Sequence, residues 1–223
     1  QTENWNGTSW SEVADLNTGR HSVTGFGTET SALATSGDGS TPRGLVETWN
    51  GTSWSETTDL NTGRANLASC GTLPSGMVFG GPVPGGGKTE LWNGSAWTET
   101  TDFSTARELT NNGAGASSQS ALASAGFITA PSAATEEWNA VTPVGAWTTS
   151  GSMNSGRLGT AAGTQTAGLI FGGGNPAVGF TETYNGSTFS EVNDINTTRW
   201  LAAGLGTQTA AIMAGGYGSA ADP

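Results

Sequence analysis

Apolar residues along this chain come in short runs, not at the spacing of three and four that marks a helix face. Met77-Val78-Phe79, Leu169-Ile170-Phe171 and Ala210 to Ala214 each end on a glycine pair. Runs of this length bounded by turn residues read as strands. A second pattern alternates with them, in which two aromatics flank a tight turn: Trp5-Asn6-Gly7-Thr8-Ser9-Trp10 and Trp49-Asn50-Gly51-Thr52-Ser53-Trp54. Asn and Gly tolerate the positive φ that such a hairpin requires. The remaining positions are mostly Gly, Thr, Ser, Asn and Ala, and Gly, Thr and Asn disfavour helix interiors. The chain therefore reads as all-β with almost no helix.

The two patterns recur together. The first aromatic of the hairpin falls at 5, 49, 92, 138 and 184, so the period is 43 to 46 residues. An arginine follows each hairpin, at Arg20, Arg64, Arg107, Arg157 and Arg199. Then come a small-residue strand, a Gly-Thr-like turn, the apolar run and usually Gly-Gly. Four strands per repeat follow: an inner strand (Leu67 to Cys70, Leu201 to Leu205), an apolar second strand (Ala210 to Ala214), a Thr-Glu-x-Trp third and a Trp-Ser-Glu fourth. Period, strand count and glycine placement indicate propeller blades.

The sequence opens on a third strand and closes after a second one. The expected architecture is thus one five-bladed β-propeller over residues 1–223. Its blades cover about 17–60, 61–103, 104–153, 154–195, and 196–223 joined by 1–16. The N-terminal hairpin should complete the last blade. Small residues at the inner strands suit five strands converging on one axis, and the paired aromatics suit packing between blades, each buried ring contributing about 2–3 kcal/mol.

Composition narrows the function. Seven basic residues against eighteen acidic ones give a formal charge of −11, which argues against nucleic acid as a partner. One cysteine, Cys70, and one histidine, His21, exclude an internal disulfide and a structural zinc site. No apolar run approaches the length of a membrane span. Gln1 lies inside a repeat, which points to a chain processed or excised from something longer.

The order of arginine, small strand, apolar strand, Gly-Gly and aromatic pair resembles the kelch repeat over essentially the whole chain. Gly80-Gly81, Gly172-Gly173 and Gly215-Gly216 match its diglycine; Trp49 with Trp54 and Tyr184 with Phe189 match its aromatic pair. The period is shorter than the kelch norm, the first aromatic is mostly Trp, and the diglycine is absent after Ala34 and after Ala125. The Trp-Asn-Gly-Thr-Ser-Trp style is also similar to repeat proteins of phages and bacteria. That likeness implies an extracellular or virion-surface location.

Enzymatic readings find little. Copper-oxidase chemistry needs clustered Tyr, His and Cys; glycosidase chemistry needs asymmetric carboxylates at the channel. Most acidic residues here instead repeat blade by blade, as Glu3, Glu47, Glu90, Glu136 and Glu182 do. No catalytic residue, metal site or cofactor is expected. The candidate site is basic. Arg20, Arg64, Arg107, Arg157, Arg199, Arg43 and Lys88 all fall on connections that emerge on one face, and would form an anion or glycan site. The competing reading is structural: Asp15, Asp59, Asp102 and Asp194 each precede an arginine by five residues and would pair with it locally. The opposite face carries uncharged Asn-Gly-Thr-Ser hairpins with Trp nearby. A further candidate is the irregular hairpin from Asn139 to Gly145, where the symmetry breaks. The expected role is a non-catalytic recognition module, binding a cell-surface glycan or protein receptor. The alternatives are a ligand-free structural propeller among the subunits of a virion or fibre, and, third, a glycan-active enzyme.

Overall fold

The computed structural model describes residues 1–38, 44–82, 86–109, 113–140, 145–174 and 176–218, and holds no helix among them. The chain opens on a hairpin, β1 (Thr2–Trp5) and β2 (Trp10–Val13). Four antiparallel meanders follow, each a four-stranded sheet in chain order. The first is β3 (Thr24–Thr28), β4 (Ser31–Thr35), β5 (Val46–Trp49) and β6 (Trp54–Glu56). The second is β7 (Ala68–Thr72), β8 (Ser75–Phe79), β9 (Thr89–Trp92) and β10 (Trp97–Thr100). The third is β11 (Gly113–Ser117), β12 (Ser120–Ser124), β13 (Thr135–Asn139) and β14 (Ala146–Thr149). The fourth is β15 (Thr160–Thr164), β16 (Ala167–Phe171), β17 (Thr181–Tyr184) and β18 (Phe189–Val192). Last come β19 (Arg199–Trp200), β20 (Ala203–Thr207), β21 (Ala210–Ala214) and β22 (Tyr217–Gly218), where β20 pairs with β21 and β19 with β22.

The first strands of successive sheets lie side by side, β3 by β7, β7 by β11, β11 by β15 and β15 by β20. All five line one cavity of about 560 Å³. The arrangement is a β-propeller. Small side chains are required on these strands because they approach so closely: a Cβ on Gly113 would lie 3.0 Å from the Ser69 carbonyl, and one on Gly204 2.7 Å from Thr160 Oγ1. Ser69 Oγ also donates across the blades to the Gly25 carbonyl at 2.8 Å. The inner strands begin slightly later than the sequence pattern suggests. Ser22, Asn66 and Leu201, each two residues after an arginine, adopt positive φ and delay pairing.

Between blades the core is aromatic. Phe26 and Leu33 of the first blade pack with Leu67, Val78, Trp92 and Trp97 of the second. Phe79 and Phe103 pack with Trp138 and Trp147 at the next interface. Each of these layers combines one blade's inner pair with the next blade's aromatic pair, which is Tyr184 with Phe189 at the third interface.

One expectation is not met. Among the described residues the β1–β2 hairpin pairs only with itself, and β21 has no third-strand neighbour. Residues 1–16 therefore do not complete the last blade, and the ring of sheets is not closed. Connectivity gives the reason. In every complete blade one loop joins the second and third strands, whereas β21 and β1 belong to opposite ends of the chain and share no loop. The hairpin meanwhile forms from local bonds. Asp15 Oδ1 accepts from the Thr2 N–H at 2.7 Å, and the Trp5 and Trp10 rings pack in a tilted pair with centroids 5.4 Å apart.

Candidate functional site

The arginine positions resolve into clamps. Arg20, Arg64 and Arg107 reach the third-strand glutamates of their own blades, with Nη1 2.5 Å from Glu47 Oε1, 2.5 Å from Glu90 Oε1 and 2.6 Å from Glu136 Oε1. Arg157 makes the same pair with Glu182. Both partners are buried in all four pairs; the Arg107 side chain is 0% exposed. The second oxygen of each glutamate accepts from the backbone three residues before the arginine, at Asn17 (2.7 Å), Asn61 (2.8 Å), Ser104 (2.9 Å) and Asn154 (2.9 Å). In three blades the arginine Nε also donates to the carbonyl closing the second strand, that of Ser36, Gly80 or Ala125. One side chain thus ties the blade-entry connection, the end of strand two and the middle of strand three.

The arginine backbone joins neighbouring blades. Gly81, Gly126 and Gly173 donate their N–H to the carbonyls of Arg107, Arg157 and Arg199 in the following blade. This accounts for the glycine pair. Its second position is Gly in all five repeats, counting Gly37 and Gly126 in the two blades without a diglycine, and always at positive φ. A Cβ on Gly173 would lie 2.4 Å from the Leu158 carbonyl. The first position is looser: Ser36 and Ala125 take the left-handed conformation there.

These bonds correct the reading of the arginines as a ligand-facing ring. Arg20, Arg64, Arg107 and Arg157 lie together on one side of the blades, but their charges are buried and spent on glutamates, so they offer no free cation to an anion. The local aspartates are not the partners either. Asp15 and Asp59 instead accept from the first backbone N–H of the third strand, at Thr2 and Val46. Arg199 lacks the clamp: among the described residues its side chain donates to the Gly215 carbonyl at 3.1 Å. Lys88 Nζ lies 2.6 Å from Glu99, whose hydrogen bond raises its pKa. Arg43 lies outside the described residues, as do residues 141–144 of the irregular hairpin.

The glutamate partners were legible as a repeat, 25 to 29 residues after each arginine, but not as clamps, because only the fold brings strand three beside the entry connection. Burial alone would raise the Glu47 pKa; the bonds from Arg20 and Asn17 outweigh it and hold the carboxyl below its ordinary value. A second cluster went unpredicted. Glu137, next to Glu136 and unique to the third blade, accepts from Ser150 Oγ at 2.9 Å, from Gln165 Nε2 at 3.1 Å and from the Tyr184 hydroxyl. Burial, then Glu137, pushes Tyr184 up to about 12. The doubled glutamate was its only sequence signal. The cluster links blades three and four.

Apart from the exposed Glu29 in the first turn, the tips and turns of the opposite face are uncharged and regular. Asn6, Asn50, Asn93 and Asn185 each accept, through Oδ1, from the N–H groups two and three residues on, at 2.9–3.0 Å. The following glycines sit at φ 93°, 93°, 99° and 93°. Gly51, Gly94 and Gly186 lie against Thr30, Pro74 and Thr166, so hairpin tips and first turns share this face. The tips expose hydroxyls and amides in one conformation. The central cavity is lined by Gly, Ala, Ser and Thr with a few larger apolar side chains, and none of the lining residues is ionised. Cys70 lines it as a buried thiol, pushed by burial up to about 12. No group of His, Cys, Asp and Glu suited to a metal occurs among the described residues.

No family model matches the sequence, and no curated protein does. Solved structures do match in fold. One is a structure of YjhT, at a TM-score of 0.77 and 12% identity, covering 97% of this chain and 83% of that one. At that identity the likeness speaks for the fold alone.

Proposed function

We propose that this chain is a non-catalytic recognition module that engages an extended, mainly uncharged glycan through its hairpin face. The single observation behind this reading is the set of four exposed Asn-Gly tips, pinned in one conformation by identical bonds. Repeated weak contacts of that kind suit a ligand that is itself a repeat, such as a surface polysaccharide, since linked sites gain affinity by about 10²- to 10⁴-fold. A rigid tip also loses little entropy on binding. An extracellular or virion-surface setting, the kelch-like character of the repeat and the absence of catalysis belong to the same proposal. The uncharged lining of the cavity supports the last of these, because glycoside hydrolysis runs on paired carboxylates.

The buried clamps favour one competing reading, a ligand-free structural propeller. Binding to an array of polysaccharides separates the two. We expect retention on a subset, weakened stepwise as Ser9, Ser53 and Ser187 are replaced by Lys, and unchanged by Arg199→Ala. Retention that ignores the tips would overturn the face assignment. Silence across the array would leave the structural reading.

A further inference from the structure

Each copy of this chain carries a plug and a matching seat, and we propose that copies join through them. The plug is the β20–β21 pair. Leu205 and Ile212 are each 57% exposed on it. The residues at the same repeat positions in the first blade, Phe26 and Leu33, are buried against Trp92 and Trp97 of the second. The seat is the β1–β2 hairpin with the first blade. Between them lies a slot of about 280 Å³ walled by Trp5, Trp49, Trp54 and Val13. Trp54 Nε1 is buried there without a partner, whereas the equivalent Trp97 Nε1 donates to the Thr58 carbonyl at 3.1 Å.

Charge and backbone agree with the apolar match. Among the described residues Arg199 and Glu3 form no ion pair, and they are the one arginine and the one glutamate of the repeat left over from the four clamps. β21 and β1 each keep an unpaired edge. The register is dictated by the fourth blade, where Phe171 faces Thr181 and Gly168 faces Tyr184. Transferred to the joint, Ala214 of one copy faces Thr2 of the next, Ala211 faces Trp5, and Arg199 meets Glu3. Exposed strand edges of complementary chemistry associate by strand addition. Plug and seat are different surfaces, so the contact is head-to-tail or reciprocal.

The test is a charge swap read by sedimentation over a concentration series, with circular dichroism confirming folding. The unaltered chain should associate into dimers or longer species. Glu3→Arg and Arg199→Glu should each weaken self-association by about tenfold or more. Mixed in equal amounts they should recover it, because every joint between the two variants again pairs Arg with Glu. A Thr2→Cys, Ala214→Cys chain should oxidise to linked copies, because directly facing strand positions lie within disulfide reach. A monomeric unaltered chain, a mixture no better than its components, or a disulfide closed within one chain would overturn the proposal; the last would mean that the ring shuts on itself. None of these readouts involves a glycan, so their failure is distinct from failure of the recognition reading.

Discussion

The same strand occurs five times in this molecule with two different fates. As β5, β9, β13 and β17, the Thr/Val-Glu-x-aromatic strand is buried at its first, second and fourth positions. As β1, with nearly the same residues, it is exposed at its second and fourth. The second strand behaves alike: β8 and β12 are buried along four of five positions, while β21 is exposed along three. Sequence is nearly constant between the two situations, so burial here comes from the neighbour and not from the strand. A blade becomes a blade when its arginine meets its glutamate and an adjacent wedge covers its aromatics.

That contrast can be pressed experimentally. The largest effect should come from Trp138, fully buried, against Trp5, which is 41% exposed. Trp138→Ala should cost about 3–5 kcal/mol in urea unfolding and Trp5→Ala under about 1. Equal losses would mean that the hairpin is as tightly packed as a complete blade. Next is the glycine pair. Gly173→Ala places a methyl against backbone at positive φ and should cost about 3 kcal/mol. Gly7→Ala meets nothing and should cost only the left-handed strain of about 1–2. The smallest effect is pH-dependent. The folded pKa of Glu47 is depressed, so its contribution is present above the ordinary value of 4.5 and lost as pH falls through the lower folded value. The stability advantage of the unaltered chain over Glu47→Gln should therefore shrink across that acid range, while Glu3→Gln shows little deficit at neutral pH.

Much of this fold was legible because the repeat imposes it. The Asn-Gly hairpins, the apolar second strands and the glycine pair each carry local signals that survive without tertiary context. Even Ser36-Gly37 and Ala125-Gly126, which break the diglycine pattern, keep the glycine where backbone approach forbids a side chain. The partner of each arginine was not legible. Asp15 and Glu47 are both acidic and both recur with the repeat; only the sheet shows that the aspartate caps strand three while the glutamate reaches the guanidinium. Ring closure was the other miss. It depends on two distant ends meeting, and no local pattern reports that.

The central claim is that the conserved geometry of the arginines within the repeat is a clamp. It is tested most directly by the unfolding free energies of Arg107→Ala and Arg199→Ala. Removing Arg107 leaves Glu136 buried and unpaired, and should cost about 3–5 kcal/mol. Removing Arg199 should change stability by no more than about 0.5 kcal/mol. If Arg107→Ala proved as mild as Arg199→Ala, the clamp would not be what holds a blade together.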